Sequence, residues 1–173
     1  MFSFSQASVL QTPRWLQTRF GKLICLSKRS SCNNGKKHSI IQKGAVAIHQ
    51  GVIVAVGKAE NIKKLYEPEM LLTGEDRIVM PGLINGHSHA AMTLFRGIAD
   101  DYPLFEWLNN YIFPAEVAFV DKEFVKLGTE LACWEMIRGG TTTFVDMYYF
   151  PEIISRVVDS CGLRALVSAT VID

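Results

Sequence analysis

Two histidines, His87 and His89, stand one residue apart at the end of an apolar run, and their side chains could bind a metal ion. In an extended strand, residues two apart point to the same face, so both imidazoles can meet one ion while Ser88 points away. Neutral imidazole suits zinc, iron, copper or nickel. Because a catalytic site typically needs three or more protein ligands and an open position for water, this pair would be only part of one.

The surroundings of the pair strengthen the metal interpretation. Alone, a His-x-His pair is a weak signal, because surface or packing histidines have the same spacing. Here the pair follows Leu83-Ile84-Asn85, a short apolar strand that begins after the break at Pro81-Gly82. Catalytic residues of βα-barrels lie at the C-terminal ends of the strands. The position therefore favours a metal site.

The residues before the pair predict a small β unit. Residues 45–48 and 52–56 are two β-type runs joined through His49-Gln50-Gly51, which is typical of a hairpin. A helical or irregular stretch follows around residues 60–66. Residues 77–80 then form another short strand, which Pro81-Gly82 ends.

After the pair, helices and strands alternate, as they do in parallel βα architecture. The predicted elements are a helix capped by Asp121 and ended by Gly139-Gly140, a strand at 141–147, a helix at 151–160 and a strand at 163–172. Together with the strand before His87 this makes three parallel strands, whereas a (β/α)₈ barrel takes eight strands and about 250 residues. The predicted fold class is therefore α/β, an incomplete TIM-type barrel limited to its first three strands.

Composition excludes some classes of partner and leaves more than one interpretation of residues 1–35. The 173 residues are 49% hydrophobic and 20% charged with a net charge of +1, so no nucleic-acid partner is expected, and no apolar run is long enough to span a membrane. The four cysteines form no Cys-x-x-Cys pair, which favours reduced thiols and the cytoplasm. No acidic residue precedes Glu60, so residues 1–35 are an organelle transit peptide, a segment outside the folded domain, or the product of a start site or reading frame unlike that of the native protein.

Residues 80–101, MPGLINGHSHAAMTLFRGIADD, carry a resemblance to a known family. They resemble the start of the barrel in the amidohydrolase superfamily, and more narrowly the 5-methylthioadenosine/S-adenosylhomocysteine deaminases and their chlorohydrolase relatives. The similarity runs from about residue 36 to residue 173 and includes 140–147, GTTTFVDM. It implies that residues 36–80 are part of a small β-sandwich domain and 81–173 the N-terminal part of the hydrolase barrel, with 1–35 unmatched.

The resemblance also implies a metal site and a reaction. His87 and His89 would be the first two ligands of a mononuclear zinc or iron site, completed by two further histidines and an aspartate from later strands. The catalytic residues, including a proton-shuttling glutamate, are expected beyond Asp173. The metal would make hydroxide available near neutral pH, and this hydroxide would attack C6 of an adenine ring and release ammonia.

Glu116 and Trp107 lie in the long connection after the first barrel strand, and such loops line the mouth of a barrel site. By the resemblance, Glu116 accepts hydrogen bonds from ribose hydroxyls and Trp107 closes over the nucleoside; otherwise they are a solvated carboxylate and a core aromatic. For Asp146 we expect a supporting or turn-capping role. The residues Arg96, Asp100 and Asp101 are expected to pair with one another.

Three interpretations of function remain open. The first is the N-terminal fragment of a deaminase of adenine-containing nucleosides, with a small-molecule substrate and a homo-oligomeric full-length form. The second keeps the fold and changes the substrate to guanine, another heterocycle or a triazine. In the third, the chain is a catalytically inert truncated product, because the later metal ligands are missing.

Overall fold

The computed structural model describes residues 22–27, 30–32, 40–74 and 78–169. The chain divides into two compact units, one ending at Gly82 and the other beginning at Leu83. Most of the segment 1–35 and the end of the third predicted strand lie outside the described residues. In the described part of the chain, no helix is long and apolar enough to cross a lipid bilayer.

The described part of the first unit is built from short strands and one helix. These are β1 (Lys22–Ser27), β2 (Ser30–Cys32), β3 (Ile40–Ile41), β4 (Gly44–His49), β5 (Val52–Lys58), α1 (Ala59–Leu65), β6 (Met70–Gly74) and β7 (Ile78–Val79). One sheet has the order β5-β4-β1-β6 and a second has the order β3-β2-β7. In the first sheet β4 pairs antiparallel with both neighbours, while β1 and β6 are parallel.

The predicted hairpin is confirmed as β4 and β5. Its turn residues Gln50 and Gly51 have φ values of 49° and 78°, the pair of positive φ angles that a type I′ turn requires. Strand β4 is covered on both faces, because Ala45 and Ala47 pack against α1 while Val46 and Ile48 belong to a second cluster. The hairpin is therefore anchored by its inner strand.

The second unit contains the predicted alternation of strands and helices. Its elements are β8 (Leu83–Ser88), a 3₁₀ helix (Ala90–Phe95), α2 (Leu104–Trp107), a π-helical segment (Leu108–Ile112), α3 (Phe113–Phe119), α4 (Lys122–Arg138), β9 (Thr141–Tyr148), α5 (Pro151–Cys161) and β10 (Arg164–Ala169). The sheet has the order β10-β9-β8, and both pairings are parallel. The predicted order of elements is thus confirmed.

Helix α4 connects β8 to β9 and supplies one side of the core. Its predicted N-cap is confirmed, since the amide of Phe124 donates to Oδ1 of Asp121 at 2.8 Å. The inner face packs on β9 and α5, whose side chains Phe144 and Ile154 are fully buried. Burying each of these two side chains contributes about 1.5–3 kcal/mol.

A π-helical segment interrupts the long connection at residues 104–119, where the sequence predicted only a loop. Pro114 is the second residue after this segment and has no amide hydrogen, so it cannot form the regular hydrogen bond to the preceding turn. The wider π-helical winding lies where that bond is missing. Glu116 lies in the first turn of α3, the helix that follows this segment.

Candidate metal centre

The two histidines come together at the C-terminal end of β8. Their ring centroids are 5.1 Å apart and the ring planes meet at 80°. His87 is exposed, whereas His89 is half-buried. Both rings thus lie at the edge of the sheet where a parallel βα architecture opens to solvent.

A β-bulge shapes the strand at this point. Asn85 pairs with Phe144 and Ser88 with Asp146, so two residues of β8 face one residue of β9. The amide of His87 lies within this irregular stretch and donates to Oδ1 of Asn85 at 3.3 Å. The regular alternation assumed from the sequence is therefore replaced by a locally kinked strand end.

His89 is oriented by a main-chain group of the neighbouring strand. Its Nδ1 lies 2.6 Å from the carbonyl oxygen of Met147. Because a carbonyl can only accept, Nδ1 carries the hydrogen, and in the neutral imidazole the lone pair is then on Nε2. This is the tautomer in which histidine binds metals through Nε2, with the other nitrogen held by a hydrogen bond.

Asp146 binds the residues on both sides of His89 and is fully buried. Its Oδ1 accepts from the amide of Ala90 at 2.8 Å and lies 3.0 Å from the hydroxyl of Ser88. Oδ2 is buried and makes no hydrogen bond to the described residues. Burial raises the pKa of this carboxyl group, although the hydrogen bonds from Ala90 and Ser88 act in the opposite direction.

Glu116 is held by two tyrosines that the sequence analysis did not identify. The hydroxyl of Tyr148 donates to Oε1 at 2.8 Å, and that of Tyr149 donates to Oε2 at 3.3 Å. Burial and the neighbouring carboxylate raise the pKa of Tyr148 far above its usual value, so its hydroxyl keeps its hydrogen. The ring of Tyr148 also lies 6.4 Å from that of His89, which connects Glu116 to the histidine pair through one side chain.

Trp107 has different surroundings. It is half-buried and lines a cavity of about 320 Å³ together with Met92, Phe95, Asp100 and Ile112. Glu116, in contrast, contacts the tyrosines of β9. The two predicted substrate-binding residues therefore belong to separate local environments.

The predicted mutual pairing of Arg96, Asp100 and Asp101 is wrong. Both terminal nitrogens of Arg96 bind the carboxylate of Glu135 on α4, at 2.9 and 2.6 Å. This bidentate contact spans 39 positions of the chain, whereas the sequence suggested the acids nearest in order. Arg96 thus ties the end of the 3₁₀ helix to α4.

The donor chemistry fits a divalent metal but remains incomplete. Two imidazoles lie close together, and the hydrogen-bonded Nδ1 of His89 leaves Nε2 available. Within residues 22–27, 30–32, 40–74 and 78–169, no group of three or more His, Cys, Asp or Glu side chains could hold a metal ion. Further ligands are needed for a catalytic site.

A family model matches this part of the chain. Residues 78–173 match the model described as "Amidohydrolase family", which is more than half of the sequence. The matched range includes both histidines, Asp146 and the segment that carries Glu116.

Curated relatives and a solved structure show the same similarity. The chain is 44% identical to the 5-methylthioadenosine/S-adenosylhomocysteine deaminase of Thermodesulfovibrio yellowstonii, over 88% of this chain and 35% of the relative. It is 48% identical to the 5'-deoxyadenosine deaminase of Methanocaldococcus jannaschii, over 81% of this chain and 31% of the relative. An adenosine deaminase from Xanthomonas campestris, solved with bound zinc, has a TM-score of 0.81 and 39% identity over 83% of this chain and 33% of its own. The chain therefore spans about a third of the length of these relatives.

Proposed function

The chain belongs to the amidohydrolase family, and from this premise we propose that it is the N-terminal part of a metal-dependent aminohydrolase that deaminates adenine-containing nucleosides. The observation that carries the proposal is the pair His87 and His89 at the end of a parallel strand, with Nδ1 of His89 bound to the Met147 carbonyl. The similar proteins are named as deaminases of 5-methylthioadenosine, S-adenosylhomocysteine and 5'-deoxyadenosine, which supports the choice of substrate class.

In this proposal, His87 and His89 bind one divalent metal ion together with ligands from later parts of the protein. Zinc is our first choice and iron the second, because imidazole suits both and the similar Xanthomonas structure contains zinc. When bound, such a metal lowers the pKa of a water molecule toward neutrality and supplies hydroxide. Met147 contributes by holding His89 in the tautomer that leaves Nε2 free.

Glu116 would bind the ribose of the substrate. An ionised carboxylate has about four acceptor positions, and Tyr148 and Tyr149 occupy two of them. The remaining positions suit the two hydroxyls of a ribose diol. Trp107, which lines a cavity of its own, would close over the nucleoside.

The same proposal assigns an architecture to the whole protein. Strands β8, β9 and β10 are the first three strands of a (β/α)₈ barrel, and the first unit is part of a small β-sandwich domain. Residues 36–80 belong to the small domain and 81–173 to the barrel, and the small domain also includes β1 and β2 of the segment 1–35, because these strands pair within the two sheets of the first unit. We further propose a cytoplasmic homo-oligomer that acts on small molecules and that does not bind nucleic acid or membranes.

A chimera tests this function. Residues 40–169 of this chain would replace the matching segment of the Thermodesulfovibrio relative, and ammonia release would be measured with methylthioadenosine, adenosylhomocysteine, 5'-deoxyadenosine, guanine and a chlorotriazine. We expect activity with the adenine nucleosides, its loss in the chimera carrying His89→Ala, and no activity in the isolated chain. Activity with guanine or the triazine alone would contradict the substrate class, and a folded but inactive chimera would favour the inert interpretation.

A further inference from the structure

The end of β9 binds three consecutive residues where β8 ends and the 3₁₀ helix begins, Ser88, His89 and Ala90. The hydroxyl of Ser88 lies 2.8 Å from the carbonyl oxygen of Val145 and 3.0 Å from Oδ1 of Asp146. The same Oδ1 accepts from the amide of Ala90 at 2.8 Å. A single carboxylate oxygen therefore binds the residues on both sides of His89.

Helix α4 restricts this segment from another direction. A Cβ atom at Gly128 would overlap the carbonyl oxygen of Ala91 and lie 2.9 Å from its Cα. Ala90 and Ala91 are both buried, at 3% and 0% exposure. The main chain that follows His89 is thus packed between the helix and the carboxylate of Asp146, with little room to move.

Burying a carboxylate at this position lowers the stability of the fold, and packing alone does not require one. The side chain of Asp146 is buried, and Oδ2 has no hydrogen-bond partner among the described residues. Burying a carboxylate with an unpaired oxygen is unfavourable, and an apolar side chain would fill the same space at lower cost. The compensation comes from Oδ1, which organises the main chain at Ala90 and the side chain of Ser88.

We propose that Asp146 is a positioning residue, which fixes the main chain around His89 so that the imidazole faces the metal while Nδ1 binds Met147. This inference rests on the proposed function only in taking His89 as a metal ligand. The hydrogen bonds of Asp146 go to Ser88 and Ala90, so the carboxylate acts on His89 through these two residues. Removing its oxygen atoms would release these two residues together.

Zinc affinity of the full chain provides the first test. Zinc alone would be titrated in competition with a chromophoric chelator against the wild type, Asp146→Ala, Asp146→Asn and His89→Ala. We expect Asp146→Ala to bind zinc roughly 10–100-fold more weakly, the range typical of groups that orient metal ligands. Asp146→Asn retains an acceptor oxygen and should stay within about threefold of the wild type.

A matched control separates positioning from general loss of structure. Ile154→Ala removes a fully buried side chain of α5, which belongs to the same hydrophobic cluster as Ala90 and Ala91. We expect it to lower the thermal stability of the chain and to leave zinc affinity within about twofold of the wild type. Equal weakening in Ile154→Ala and Asp146→Ala, or unchanged affinity in Asp146→Ala, would overturn the proposal.

A second measurement tests the role of Asp146 without a bound metal. Long-range ¹H–¹⁵N NMR of the imidazoles, assigned with His89→Ala, reports whether Nδ1 of His89 carries a protected hydrogen. We expect that signal in the wild type and in Asp146→Asn, and its loss in Asp146→Ala. Zinc binding that does not depend on His89 would count against the proposed function, whereas a retained Nδ1 signal in Asp146→Ala would count against the role of Asp146.

Discussion

The hydroxyl of Tyr148 donates a hydrogen bond of 2.8 Å to Oε1 of Glu116. Tyr148 is the last residue of β9, and Glu116 lies on α3, so the bond joins the end of a central strand to the connection that follows β8. The tyrosine is only 4% exposed, which limits the orientations open to the carboxylate. The position of Glu116 therefore depends on the sheet as well as on its own helix.

Tyr148→Phe in the chimera should raise KM for the nucleoside by about 3–10-fold with a smaller change in kcat. The reason is that Glu116 loses one orienting hydrogen bond, which is worth about 0.5–1.5 kcal/mol. Steady-state kinetics would measure the effect. Tyr149→Phe is the matched control and should have a smaller effect, because its bond is longer, at 3.3 Å. A fall in kcat with unchanged KM would argue against ribose binding by Glu116.

Gly128→Ala should destabilise the chain by about 1–3 kcal/mol, as overpacking does. In an open helix interior the same substitution usually stabilises by about 1 kcal/mol, so the sign of the effect is diagnostic. The cause is the close contact of Gly128 with the backbone of Ala91. Urea unfolding followed by circular dichroism would measure the change. Gly86→Ala is the control, since a Cβ there meets nothing within 4 Å; equal effects of both variants would contradict the contact.

The ion pair between Arg96 and Glu135 should make a pH-dependent contribution to stability. The hydrogen bond from Arg96 lowers the pKa of Glu135, so stabilisation is present above the unfolded-state pKa of about 4.3 and is lost as pH falls through the lower folded-state value. Glu135→Gln should therefore lower Tm at neutral pH and have a smaller effect near about pH 3.

Thermal unfolding of wild type and Glu135→Gln at both pH values checks this prediction. About 1 M salt should reduce the difference at neutral pH, because the pair is exposed. Glu123→Gln is the control: its contact with Lys126 is 3.9 Å long and exposed, and we expect almost no change. A Tm difference that grows toward acidic pH would have the wrong sign.

Cys133 should resist alkylation in the folded chain. It is fully buried, and burial raises its pKa to about 12, so roughly one thiol in 10⁴ is ionised at about pH 8. Maleimide labelling followed by peptide mass spectrometry should find Cys133 modified only after denaturation. The partly exposed Cys161 serves as the internal comparison and should react in the folded state. Equal labelling rates would show that the core opens readily.

The features predicted correctly from the sequence depend on local patterns. Asp121 is a helix cap because of its relation to the next three residues, and the β4–β5 hairpin follows from two short runs and a turn. The closeness of His87 and His89 also needs no distant partner. Their role as metal ligands stays a prediction, as do the roles of Glu116 and Trp107.

The features that the sequence analysis missed depend on residues far apart in the chain. Arg96 binds Glu135 across 39 positions, and the nearer acids misled the prediction. Tyr148 binds Glu116 across 32 positions, although polar side chains at the end of a predicted strand were a usable signal. Strand β1 lies within the basic segment 1–35 and pairs with β4 and β6, so its pattern becomes clear only with those partners.

The support that β9 gives to His89 has a consequence for the order of events during protein synthesis. The Met147 carbonyl lies 58 positions after His89, and at about 5–20 residues per second it is made roughly 3–12 seconds later. During that interval the nascent chain carries the His87–His89 pair without the group that selects the tautomer of His89. If His89 is a metal ligand as proposed, its final orientation toward the metal is available only after β9 has been translated and paired with β8.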